Sequence, residues 1–232
     1  MPKVFFPKIA NQSEESARAP SIVAQKIREA ILDEVLLPGK HLKEIELAEK
    51  FEVSRSPVRE ALLALEKEGT VVISPFKGAI VKPLSVEEVL DIGELRLALI
   101  PRALKPAHRH LSPIEFDHAD DLAKRMTRTN NAKEHFECHS EFWDGIFSKT
   151  QRPILREVFQ QLNNRMTRYE PLYLRVFPTP ESRPHQWEIL MKIYRKGKIT
   201  EAFLAFKKAY LEVTNRLIDH LQREEAGDSA RS

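Results

Sequence analysis

A single cysteine, Cys138, leaves the chain without any internal disulfide, so a small fold stapled by cross-links is excluded and a reducing compartment is the default expectation. Glycine and tyrosine are scarce, at 7 and 4 residues in 232, which disfavours an all-β chain with many tight turns. No apolar run approaches the roughly 20 residues needed to cross a bilayer. The first 20 residues have no long apolar core followed by a small-residue cleavage site, so they do not read as a signal peptide. A cytoplasmic protein with no membrane partner is therefore expected. An excess of charge is missing too. The net charge is only +3, and residues 1–83 hold 13 Lys+Arg against 12 Asp+Glu. Bulk charge does not announce a nucleic-acid binder, and any grip on DNA must come from a few well-placed cations. No nucleophile elbow, Gly-rich phosphate loop or Cys pair is present, which argues against an enzyme.

What is present is helical periodicity, interrupted once. Residues 1–20 are polar and irregular and read as a loose arm. Ser21 can cap a first helix carrying Val23, Ile27, Ala30 and Ile31 at helical spacing, stopped by Leu37-Pro38-Gly39. A second short helix covers about Lys43 to Phe51. Glu52-Val53-Ser54 is a tight connection, and a third helix runs to about Glu68. Pro57 is tolerable in its first turn, where backbone N–H groups lack intrahelical partners, and Gly69 ends it. Val71-Val72-Ile73 and Ala79-Ile80-Val81 flank turn chemistry at Ser74–Gly78 and read as a hairpin. Three helices and a hairpin make a winged helix-turn-helix over residues 21–83.

Beyond Pro83 every segment reads as helix. Ser85-x-x-Glu88 and Ser112-Pro113-x-Glu115 are capping boxes, and Pro101 and Pro106 should kink or end the first of these helices. Further helices are expected from Asn131 to Phe147, Pro153 to Arg175, Thr179 to Lys196 and Thr200 to Glu225. The fold class is mainly α: the winged head, then an all-α bundle over residues 84–225, with a disordered tail at 226–232.

The segment Val53-Ser54-Arg55-Ser56-Pro57-Val58-Arg59-Glu60-Ala61-Leu62, preceded by Leu42-x-Glu44-x-x-Leu47-Ala48 and followed by Leu65 and Gly69, resembles the GntR family of transcription regulators. Lys77-Gly78 falls where that family has its wing tip. Arg55 and Arg59, four residues apart, share one face at the start of the third helix, where an arginine can read guanine in the major groove. Ser54 and Ser56 can bond phosphates with the free N–H groups of the first turn, and Lys77 can reach the DNA from the hairpin tip. The plain alternative for Arg59 is a surface pair with Glu60 or Glu66. The resemblance implies a homodimer on a short near-palindromic operator, with repression the expected sense.

A helical domain behind such a head resembles the FadR subfamily and its FCD effector domain, and Gly93-Glu94-Leu95-Arg96 fits that domain's first helix. The resemblance implies a small-molecule effector, a metabolite. Many FCD domains also hold a metal. Here the ligand positions align with His139, Trp143, Trp187 and Ala209, the register being anchored by Pro153-x-Leu155. Indole and alanine cannot ligate. No metal and no other cofactor is therefore expected, and the only two tryptophans are expected to line or plug the space. A shifted helix pairing His185 with His139 is the remaining route to a metal. Candidate effector contacts are Arg96, which could bind a carboxylate, together with His139, Trp143, Arg165 and Trp187. Against these stand plainer readings. His135 and His139 (i, i+4) read as solvated helix histidines, His108, His110 and His118 as surface residues, Arg96 as an interhelix ion pair, and Phe203, Phe206 and Tyr210 as core or dimer seam. Cys138 reads as an inert helix residue.

Overall fold

The computed structural model describes residues 14–74 and 78–229. Most of the expected N-terminal arm, the wing-tip Lys77 and the last three residues lie outside the described residues. The chain divides at Pro83 into two compact units.

The first unit contains α1 (Glu14–Leu32), β1 (His41–Leu42), α2 (Glu44–Phe51), α3 (Arg55–Lys67), β2 (Val71–Ser74) and β3 (Gly78–Val81). One face of each helix closes on a single core, with Val23, Ile27, Val58, Leu62, Leu65, Val71 and Val81 buried. That packing holds together helices too short to be stable alone. Arg28 of α1 clamps Glu68 at the end of α3, donating from Nε at 3.0 Å and Nη2 at 2.6 Å. Gly69 takes φ +75° just past α3, a left-handed position that a side chain would strain. The sheet is antiparallel in the order β1-β3-β2, with Val71 opposite Val81 and Ser74 opposite Gly78. The third strand, β1, was not foreseen, because two residues carry no period.

Among the described residues the second unit contains seven α-helices: α4 (Val86–His108), α5 (Pro113–Arg128), α6 (Ala132–Ser148), α7 (Pro153–Arg165), α8 (Glu170–Val176), α9 (Gln186–Tyr194) and α10 (Ile199–Ser229). The expected caps form: Ser85 accepts from Glu88 N–H, Asn131 from Glu134 N–H, and Ser112 with Glu115 closes a full capping box.

Several expected boundaries are corrected. Residues 14–20 are helical, not a loose arm, so Ser21 caps nothing and Pro20 lies within α1. Neither Pro101 nor Pro106 ends α4. Ile100, Ala103, Leu104 and Ala107 around them are fully buried, and this packing outweighs the roughly 3 kcal/mol cost of an internal proline. The helix expected from Pro153 to Arg175 breaks into a 3-10 turn at Met166–Tyr169, since the ring of Pro171 conflicts with the carbonyl four residues earlier. The one expected from Thr179 shrinks to α9, because Pro184 forces Arg183 into an extended conformation. Residues 226–229 continue α10 instead of forming a disordered tail.

Candidate DNA-binding face and buried polar cluster

The turn between α2 and α3 is made by Glu52, whose φ of +55° is left-handed. It turns the chain into α3, which buries Val58, Ala61, Leu62 and Leu65 and leaves the opposite side of its first turns exposed. Ser54 is the extended N-cap residue, and its side chain caps no N–H group. Ser54, Arg55, Ser56 and Arg59 are all exposed. The Ser56 hydroxyl donates to Glu60 at 3.1 Å, and Glu66 accepts the Ile73 N–H at 3.1 Å. The two carboxylates that could have held Arg59 are thus engaged elsewhere. Among the described residues no ion pair includes Arg55 or Arg59. Both border a groove of about 660 Å³ whose other walls include Lys43, Leu63, Ile73 and Gly78. Gly78 is exposed at φ +71° at the start of β3. An open groove beside unpaired guanidinium groups and a helix N-terminus suits a polyanion.

The second cluster is buried. Arg96 on α4 is 1% exposed, and its Nη2 donates to Nε2 of His139 on α6 at 2.7 Å. A guanidinium only donates, so His139 accepts at Nε2 and carries its proton on Nδ1. That nitrogen faces Glu170 Oε1 at 3.8 Å. Burial, then Arg96, then His135 push the His139 pKa well below its ordinary value, so the ring stays neutral. Glu170 accepts from His135 Nδ1 at 2.6 Å. The guanidinium also stacks near Phe159 and Tyr210, 5.4 and 5.6 Å from the ring centroids.

Arg96, His135, His139, Glu170 and Tyr210 line a cavity of about 40 Å³ with Trp187, Tyr173 and Gln186. Five buried polar atoms of the lining residues have no hydrogen-bond partner: Arg96 Nε, His135 Nε2, His139 Nδ1, Gln186 Oε1 and Trp187 Nε1. Arg96 Nε, His139 Nδ1 and Trp187 Nε1 are donors, a set suited to an acceptor-rich or anionic group.

Of the sequence-predicted contacts, Arg96, His139 and Trp187 meet at this cavity. Trp143 stands behind it, 5.9 Å from Trp187 and packed against Phe159 and Phe206. Arg165 lies elsewhere, 3.5 Å from Glu88. Glu88 also receives Arg168 at 2.5 Å and the Tyr169 hydroxyl at 2.9 Å, an ionic knot at the start of α4. Sequence reasoning missed Glu170, which sits in an aromatic run and carries no spacing signal. It also put His135 and His139 in solvent. Both are 3% exposed, because α6 turns that face onto α4 and α8. Phe206 and Tyr210 belong to the core. His108 packs edge-on against Phe116 and Tyr194. Burial raises the Cys138 thiol pKa, which keeps it unreactive.

The residues at the metal-ligand positions do not fit a metal. Trp143 and Trp187 offer no lone pair, Ala209 has no donor, and His139 Nε2 already accepts from a cation. His185 bonds Glu188 at 3.3 Å, away from the cluster. Among the described residues no three His, Cys, Asp or Glu side chains are placed to share an ion.

Among the described residues three helices and a small sheet, followed by seven helices, make the architecture of a helix-turn-helix head with an all-α second unit. Residues 21–81 match the family described as "Bacterial regulatory proteins, gntR family", and residues 91–225 match the FCD domain. The chain belongs to this GntR family, among its FadR-like, FCD-bearing members. An HTH-type transcriptional regulator of Agrobacterium vitis is 39% identical over 92 residues, which cover 40% of this chain and 54% of that protein. One from Streptomyces ambofaciens is 33% identical over 122 residues, 52% of each. The chain thus spans about half the length of the curated relatives it matches. The fold is shared with a Rhodococcus GntR regulator (TM-score 0.69, 18% identity, 86% of this chain and 97% of that one). Among the described residues no helix is long and apolar enough to cross a membrane.

Proposed function

We propose that this chain is a cytoplasmic, sequence-specific transcription regulator. A homodimer binds a short near-palindromic operator through α3 and the wing, with repression as its sense. The carrying observation is the pair of exposed, unpaired guanidinium groups of Arg55 and Arg59 on the first turns of α3. Arginine placed there bonds guanine O6 and N7 in a bidentate way, while Ser54 and the first N–H groups of α3 take phosphates. Two heads double the cations available, which compensates for the small net charge. Selection from a random DNA library at near-physiological salt tests the reading. A short palindrome is expected, and recovery of no preferred sequence overturns it.

The helical unit is proposed to take a small metabolite with an anionic group at Arg96, His139 and Trp187, without a metal. Equilibrium dialysis with zinc, nickel and manganese tests the last point, and stoichiometric binding lost in His139→Ala refutes it. The narrowness of the cavity favours a second reading, an effector-independent dimer whose site the tryptophans have closed. Trp187 lines the cavity, so a metabolite screen read by tryptophan fluorescence separates the two.

A further inference from the structure

The unpartnered donors of the buried cluster, on Arg96, His139 and Trp187, have a counterpart on the other side of the same cavity. The remaining unpartnered atoms accept. His135 gives its Nδ1 proton to Glu170, which leaves a lone pair on Nε2 of the neutral ring. The Gln186 amide hydrogen-bonds the Tyr173 hydroxyl, while its own carbonyl Oε1 has no partner. Glu170 adds a carboxylate. Its Oε2 takes the His135 proton, whereas Oε1 stands 3.8 Å from His139 Nδ1, too far for a hydrogen bond.

Arg96, His135, His139, Glu170, Gln186 and Trp187 are each 5% exposed or less, and all line the one cavity. His139 spans its two charges, held by Arg96 at Nε2 and facing Glu170 with Nδ1. A buried positive charge and a buried negative charge thus share the cavity wall. An anion drawn to Arg96 stands close to the Glu170 carboxylate, and a cation drawn to Glu170 stands close to a guanidinium. With little water to screen it, either like-charge approach is costly. A single water makes at most about four hydrogen bonds, fewer than the unpartnered atoms require. A ligand that carries both signs meets an opposite charge at each end. Its cationic end also suits the faces of Tyr173 and Trp187.

We infer that the cavity is built for a zwitterion: an amino acid whose carboxylate lies on Arg96, His139 and Trp187 and whose ammonium lies among Glu170, Gln186 Oε1 and His135 Nε2. This names the ligand class for the effector reading above and rests on it. The acceptor side is what distinguishes the amino acid from a plain organic acid, which would use the donors alone.

The test is isothermal titration calorimetry of the full chain with the standard amino acids, β-alanine and 4-aminobutyrate. Each is compared with the acid that lacks its amine and the amine that lacks its carboxylate. At least one amino acid is expected to bind, about tenfold or more tighter than either truncated analogue. Three variants then assign the groups, with circular dichroism to check that each is folded. Arg96→Met is expected to lose the amino acid and the acid alike. Glu170→Gln and, independently, Gln186→Leu are expected to weaken the amino acid about tenfold or more. Neither should weaken the acid, and Glu170→Gln should tighten it by removing the like charge. An acid that binds as tightly as its amino acid, or an amino acid whose affinity neither Glu170→Gln nor Gln186→Leu changes, overturns the zwitterion while the anionic effector stands. Binding by amines alone, or by no compound of the three classes, overturns both.

Discussion

Replacing Arg96 by methionine asks whether that arginine is kept for folding or for a ligand. Its charge is buried, and among the described residues no carboxylate lies within ion-pair distance of it. The hydrogen bond to His139 is charge-assisted and contributes about 1.5–3 kcal/mol. The contacts with the Phe159 and Tyr210 rings contribute roughly 0.5–1 kcal/mol each. Against these stands the several kcal/mol needed to take a guanidinium out of water. Methionine fills a similar length and removes that cost. The expected change in stability is therefore within about 1 kcal/mol of zero, of either sign. Removing the negative member, Glu170→Gln, should behave differently. It takes from His135 Nδ1 its charged acceptor, a hydrogen bond that contributes about 1.5–3 kcal/mol. Urea unfolding followed by tryptophan fluorescence reads this unit alone, because Trp143 and Trp187 are the only tryptophans and both lie in the bundle. The midpoint should shift with the slope unchanged. A loss above about 3 kcal/mol in Arg96→Met would make Arg96 a structural keystone and refute its assignment to a ligand.

Arg55→Ala and Arg59→Ala should each weaken operator binding by about 1–3 kcal/mol and relax base preference at one position. Because both side chains are exposed and unpaired, thermal stability should not move; competition binding against single-base operator variants checks the first claim and calorimetry the second. The unfolded His139 ring takes up a proton below about pH 6.5, whereas the folded one resists it. This residue therefore makes stability fall as pH drops below 6.5, by no more than about 1.4 kcal/mol per pH unit. His139→Gln keeps an acceptor for Arg96 and should flatten that slope, as urea midpoints at pH 7.5, 6.5 and 5.5 will reveal. Trp143→Ala empties a fully enclosed aromatic site and should cost about 3–5 kcal/mol, a loss that phenylalanine at the same position should partly recover in the same assay.

The head was legible because its signals are local. A proline in a first turn, a glycine past a helix end and a change of period each fix an element within a few residues, whereas the cap read at Ser21 falls inside α1, and Arg55 and Arg59 drew their reading from the GntR-like string around them. The bundle was legible only in part. Its caps at Ser85, Ser112 and Asn131 form as read, but prolines deceived in both directions. Pro101 and Pro106 sit inside a helix that the core holds, whereas Pro171 and Pro184 break segments whose apolar period looked continuous. The polar cluster was least legible. Arg96 stood out as a charge in an apolar stretch, but its neighbour Glu170 is 74 residues away and His135 looked like any solvated helix residue. Which polar side chains share a cavity depends on helix packing, which a period of 3.6 does not encode.

The cavity size constrains how any effector could act. Metabolite pockets commonly span about 300–1,000 Å³, whereas the cavity beside Arg96 is about 40 Å³, room for one water or little more. A ligand must then bind a conformer in which Trp187, Tyr173 or Tyr210 has moved aside. Its apparent affinity falls by the fraction of chains in that conformer. The same circumstance supplies regulation, since a ligand shifts an equilibrium only through unequal affinity for the two states, and one admitted solely by the opened state has the largest inequality available.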